Sequence, residues 1–164
     1  MKRIVCLLLL TVSLLALASC KDGGYKTYNE GNIEFTLPKA MTERSVNYAD
    51  ICYSDGSLKF MAMAFSNERI KEELKLYEQI TVTDYVNLYM SWNGYTASYT
   101  YDEENNCVSF DEITVNDLGI RNYEAYRFYR REGGIYVIWI YCIADEYEGY
   151  KEEINKIMDS VRLG

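Results

Sequence analysis

The amino-acid sequence predicts an α+β domain: an antiparallel β-sheet of about six to seven strands packed with two main helices. Three observations predict it. Runs rich in β-branched and aromatic residues fill the stretch from Tyr95 to Ala144 and are separated by short polar turns, which leave no room for crossover helices and so favour antiparallel neighbours. Two other stretches, Thr81 to Ser91 and Asp145 to Val161, repeat apolar residues at helical spacing. Finally, Asp55-Gly56 and Gly133-Gly134 fall where tight hairpins need them.

The chain opens with basic Lys2 and Arg3, continues through an apolar stretch from Ile4 to Leu17 broken by Thr11 and Ser13, and reaches small residues Ala18 and Ser19 before Cys20. That succession reads as an export leader, residues 1–19, whose apolar part is shorter than the roughly 20 residues of a spanning helix. Leu17-Ala18-Ser19-Cys20 resembles the bacterial lipobox. The resemblance implies a signal peptide cut after Ser19 and a lipoprotein acylated on Cys20, with palmitate-type chains anchoring it to a membrane of the bacterial cell envelope, periplasmic or surface-exposed. A plain secretory leader with an unrelated Cys, or an uncleaved anchor, is the competing reading. Two or more acyl chains, at about 0.8 kcal/mol per buried CH₂, make an anchor stable. Residues 20–31 read as the lipidated Cys and a flexible tether, because Lys21 to Glu30 offers little to bury; residues 32–164 read as one α+β domain.

Within the domain, Ile33, Phe35 and Leu37 alternate with polar residues up to Pro38, a strand with one buried face. Val46 to Tyr53 and Leu58 to Ser66 flank Ser54-Asp55-Gly56-Ser57 as a hairpin, and the later half of the second arm is apolar on both faces, so cover is expected on both. Asn67 to Ile80 is charged and has room for a short helix. From Thr81 to Ser91, Val82, Tyr85, Val86, Tyr89 and Met90 form an apolar stripe, with Thr81 and Asp84 placed as a capping box and Asn93-Gly94 as the stop. Strands are then expected at Tyr95–Tyr101, Cys107–Val115, Ile120–Arg131 and Ile135–Ala144, the last nearly without a polar break and therefore central. Asp145 and Glu148 are placed to cap a final helix whose Tyr150, Ile154, Ile157, Met158 and Val161 share one face.

This order, with Phe35-Thr36-Leu37-Pro38 closing the first strand and a last helix ending near Ile157-Met158-Asp159-Ser160-Val161, resembles the PsbP-like fold, whose members include PsbP and the DcrB-like periplasmic lipoproteins. The resemblance implies a binding, accessory or chaperone-like protein without a shared catalytic site, so it carries no functional residue across.

Composition narrows the chemistry further. There is no His, which excludes Ser-His-Asp and Cys-His catalysis, His-ligated metal and a His pH switch. Without the leader, 15 basic side chains face 25 acidic ones, a balance of −10 that repels nucleic acid and anionic headgroups. A basic partner protein is compatible with that charge. Cys52, Cys107 and Cys142 remain beyond Cys20; three is odd, and both a disulfide and three thiols stay open, with Cys142 in an apolar strand reading as a buried thiol. The 17 Tyr suit strands as well as contact surfaces for protein or glycan.

Candidate sites are few. Asp102 to Asn106 gathers oxygen ligands without EF-hand spacing, which reads as a turn rather than a metal site. Asp111, Glu112 and Asp117 read as surface charge rather than as paired catalytic carboxylates. Arg127, Tyr129 and Arg131 share one strand face and are the binding candidates, placed either to clasp an acidic or aromatic partner or to pair with local acids. The reading is a non-enzymatic envelope module, with no cofactor and no metal, that binds a protein or peptide as an accessory, chaperone-like or immunity protein. The alternative is a glycan-binding protein or carboxylate-dependent hydrolase.

Overall fold

The computed structural model describes residues 24–72, 75 and 79–164. The leader and Cys20 lie outside these. Strands β1 (Tyr25–Glu30), β2 (Ile33–Pro38), β3 (Thr42–Glu43), β4 (Ile51–Ser54) and β5 (Lys59–Ser66) come first, followed by helices α1 (Asn67–Glu72) and α2 (Val82–Asn93). The strands β6 (Thr100–Asp102), β7 (Cys107–Val115), β8 (Arg121–Arg131) and β9 (Gly134–Ile143) form the expected meander. A 3₁₀ turn (Ala144–Glu146), α3 (Tyr147–Ser160) and β10 (Arg162–Leu163) follow.

Two antiparallel sheets result, one of seven strands in the order β3-β4-β5-β9-β8-β7-β6 and a small one in the order β1-β2-β10. The period of two along β9 explains the layering. Ile138, Ile140 and Cys142 face a core made with Phe35 and Leu37 of β2 and Ile154, Ile157 and Met158 of α3, while Ile135 and Val137 face Tyr85, Val86 and Met90 of α2 and Ile70 of α1. The large sheet is therefore the middle layer.

Helix α2 follows its sequence signals. The Thr81 hydroxyl accepts the Asp84 amide at 3.1 Å and donates to its carboxylate at 2.6 Å. At the other end Gly94 takes φ 70°, and Tyr95 N donates to Met90 O at 2.9 Å, closing the last turn. The Asp55-Gly56 hairpin is also built as expected, with the Asp55 carboxylate accepting the amides of Ser57 and Leu58 at 2.9 and 2.8 Å.

Several expectations are corrected. Tyr25–Glu30, expected to be tether, is a strand: its backbone pairs along all of β2, and Tyr28 stacks on Phe35. The strand expected from Val46 covers only Ile51–Ser54, because the Asp50 carboxylate caps Ala64 N at 2.8 Å at the ladder's edge. In β5 it is the first half, Phe60-Met61-Ala62, that is buried on both faces; Ala64 is exposed, Met63 and Phe65 half-buried. No ladder forms over 95–99, where the Glu112 carboxylate takes the amides of Thr96 and Ala97 at 3.1 Å each, leaving a strand only at Thr100–Asp102. Neither Asp145 nor Glu148 caps α3: Glu146 holds the N-cap position without a side-chain bond, and Asp145 lies 3.8 Å from Arg121. The sequence left the cysteine pairing open; Cys52, Cys107 and Cys142 are free, buried thiols, and Cys142 is buried as expected.

Candidate functional site

The strand face bearing Arg127, Tyr129 and Arg131 opens into a cleft of about 700 Å³. Period two along β8 puts these three side chains on the α3 side of the large sheet, and Cys107 and Ser109 of β7 continue the same surface. Helix α3 ends before it reaches this edge of the sheet. The roof consists of Asp159 at the end of the helix and of Arg162 and Leu163 in β10. Pairing of Arg162 with Glu34 and Leu163 with Ile33 fixes that roof to the small sheet.

Three guanidinium groups line the cleft, and they are held differently. Arg127 donates through Nη2 to the Asp159 carboxylate and through Nη1 to the Met158 carbonyl, at 2.6 and 2.7 Å. Burial works to lower its pKa, but the bond to Asp159 and the contact with Tyr129 outweigh burial and raise it, so the charge is permanent. Arg131 instead donates through Nη1 to the carbonyls of Asn105 and Arg130, at 2.6 and 3.1 Å, with its guanidinium 5.5 Å from the Tyr129 ring centroid. Arg162 donates through Nη1 to the carbonyls of Asp159 and Val161, at 2.7 and 2.8 Å. Neutral carbonyls orient these last two groups but do not cancel their charge.

Asp102 also lines the cleft. Its carboxylate accepts the backbone and side-chain N–H groups of Asn105, at 3.2 and 2.7 Å, which holds its pKa below the usual range. The loop from Asp102 to Asn106 is thus a turn closed by its own acid. Burial pushes the Cys107 thiol up, more than Arg127 and Tyr129 pull it down, so it stays protonated at neutral pH and is a poor nucleophile. Tyr129 is likewise raised by burial.

The remaining carboxylate candidates do not converge. Asp111 and Glu112 are consecutive on β7 and point to opposite faces, and Glu112 is engaged with the 96–97 backbone. Asp117 sits in the turn from Asn116 to Gly119, whose amides at Leu118 and Ile120 bond the Asn116 side chain at 3.0 Å each. Among the described residues no group of three or more acidic or cysteine side chains gathers as a metal site, and no helix is long and apolar enough to cross a membrane.

The strand face was visible in the sequence; the roof was not. Asp159, Arg162 and Asn105 reach the cleft from distant or irregular segments and leave no local spacing to detect. Arg162 had one available signal, a charged residue flanked by Val161 and Leu163, the alternation of a short strand.

This arrangement of sheets and helices has counterparts among solved structures. The solution structure of cyanobacterial PsbP from Synechocystis sp. PCC 6803 superposes with a TM-score of 0.56 at 12% identity, covering 89% of this chain and 96% of that one. The Saccharomyces cerevisiae Ran-binding protein Mog1p superposes with a TM-score of 0.53 at 10% identity, covering 87% and 96%. The chain therefore has the mixed α+β fold seen in cyanobacterial PsbP, as the sequence resemblance implied. No family model matches the sequence, and no curated protein does.

Proposed function

We propose that the chain is a non-enzymatic accessory module, anchored through a lipid on Cys20 to a membrane of the bacterial cell envelope, that holds an acidic segment of a partner protein in the arginine-lined cleft. The observation that carries the reading is local. In a chain of net charge −8, three guanidinium groups converge on one cleft, and two of them are held by neutral carbonyls. Planar guanidinium donors match carboxylates in geometry as well as charge. Repulsion from the acidic surface acts at longer range and is screened within about 8 Å at physiological ionic strength, whereas contacts inside the cleft are screened less.

The experiment is a titration of the full chain, in a neutral detergent, with a glutamate-rich peptide and a lysine-rich peptide of the same length. Binding of the acidic peptide should weaken at least about tenfold in an Arg131→Ala, Arg162→Ala double variant, equivalent to about 1.4 kcal/mol. Equal affinity for wild type and variant, or preference for the lysine-rich peptide, would overturn the cleft as the site. Anchoring is tested separately: labelled fatty acid should enter the wild type and not Cys20→Ala.

A further inference from the structure

The opposite face of the large sheet carries a second, chemically different pocket. Strand β9 lies in the middle of that sheet, yet Trp139 and Tyr141 on it are only half-buried. Helix α2 packs over β7 and β8, α1 covers part of β5 and β9 through Ile70, and the chain at 44–50 lies beside β4, so only the stretch of β5 and β9 between them stays open. The opening is a pocket of about 240 Å³ lined by five aromatic rings, Tyr48, Phe65, Tyr89, Tyr126 and Trp139, and two apolar side chains. Its volume is below the roughly 300–1,000 Å³ of drug-sized sites and suits a compact group.

We infer that this pocket binds the trimethylammonium group of a small cationic solute of the choline type. Aromatic faces attract cations, and a cage of several rings is the usual way of holding a quaternary ammonium. The surrounding charge has the right sign. Tyr126 donates its hydroxyl proton to the Glu124 carboxylate, which also accepts from Thr114 at 2.8 Å and Tyr95 at 3.5 Å. That bond leaves electron density on the Tyr126 ring and fixes a negative charge beside the cage. Asp50, two residues from Tyr48, bonds Ala64 N between Met63 and Phe65. The Phe65 ring is already engaged by the Arg69 guanidinium, 4.6 Å from its centroid, so the cage for a ligand rests on Tyr48, Tyr89, Tyr126 and Trp139.

The apolar lining also decides which cation. A primary ammonium or guanidinium would enter with N–H groups that the ring faces cannot satisfy, at a desolvation cost. Trimethylammonium has no N–H to satisfy. An anion would meet Glu124, Asp50 and the net charge of −8. This site shares no residue with the arginine-lined cleft, so either can fail without the other.

The test follows Trp139 fluorescence in the full chain, in neutral detergent, on a Trp92→Phe background that removes an exposed reporter. Choline should give a saturable change and bind at least about tenfold tighter than 3,3-dimethylbutan-1-ol, its neutral isostere with carbon in place of nitrogen. Tyr48→Ala removes a half-exposed ring without opening the core and should weaken choline about fivefold. Phosphocholine, the soluble form of a lipid headgroup, should bind more weakly than choline. A neutral isostere that matches choline, phosphocholine binding that exceeds it, or no saturation by about 100 mM choline would each overturn the inference.

Discussion

Replacing Gly134 by Ala should damage this protein more than the same change at any other glycine among the described residues. Gly134 opens β9, pairs with Ser66 of β5 and Arg131 of β8, and takes φ 151°, a conformation that L side chains rarely adopt. A Cβ there would stand 2.1 Å from the Phe65 carbonyl oxygen and 3.0 Å from its carbon, so backbone would have to move by more than 1 Å to restore ordinary contact. The conformational strain costs about 1–3 kcal/mol. Opening the end of the β5–β9 ladder forfeits one or two backbone hydrogen bonds at about 1 kcal/mol each. Together these come to roughly 2–5 kcal/mol, against a total stability of about 5–15 kcal/mol for a domain. Urea unfolding at 25 °C is the assay, with the midpoint shift read at constant m-value, and Tm should fall by roughly 5 °C or more. Gly133→Ala is the control, since its Cβ meets only the Tyr136 hydroxyl at 3.4 Å. A loss below about 1 kcal/mol at Gly134, or equal losses at both glycines, would refute the reasoning.

Three further outcomes are expected. Thr81→Ala removes the acceptor for Asp84 N and should cost about 1 kcal/mol, with amide exchange accelerating first over residues 82–85; Thr81→Ser should restore most of it. Stability should be flat from about pH 6 to about pH 9 and fall above it, because burial pushes Cys142 up to about 11 from 9.0 and Tyr53 and Tyr89 up to about 12 from 10.0. In that window the unfolded chain releases protons that the folded chain keeps, so unfolding gains with rising pH; urea midpoints that hold steady through pH 11 would contradict this. Cys52, Cys107 and Cys142 should react with an aromatic disulfide reagent slowly in the native protein at pH 8 and promptly in urea, and fast native labelling of Cys107 would contradict its burial.

What the sequence showed and what it hid divide along a physical line. The α2 stripe with its Thr81 and Gly94 ends, the Asp55-Gly56 hairpin and the meander from Cys107 to Ile143 are specified by residues within one or two turns of each other, so periodicity and turn chemistry reveal them. Strand β1 was hidden because only Tyr28 meets the core while its neighbours are polar, and its order comes from pairing with β2. The segment 95–99 has strand composition but loses its ladder to one side chain, Glu112. Burial along β5 ran opposite to expectation because helix α2 rests on β7 and β8 and leaves the later half of β5 partly open, a tertiary fact. The same holds for the cleft: period two gave the face shared by Arg127, Tyr129 and Arg131, while its roof depends on β10 docking against a strand some 130 residues earlier.

That docking also sets an order of events in time. Phe35 and Leu37 are wholly covered in the finished molecule, yet part of their cover is Ile154, Ile157, Met158 and Val161, and Thr36 N donates to the Ser160 hydroxyl oxygen at 2.9 Å. The hairpin of β1 and β2 can rest early on Tyr53 and Phe60, but the remainder of its apolar face stays uncovered until the last helix and β10 dock. Assembly of the small sheet therefore finishes only once its last strand is present, and until then one face of the early hairpin is open to other chains.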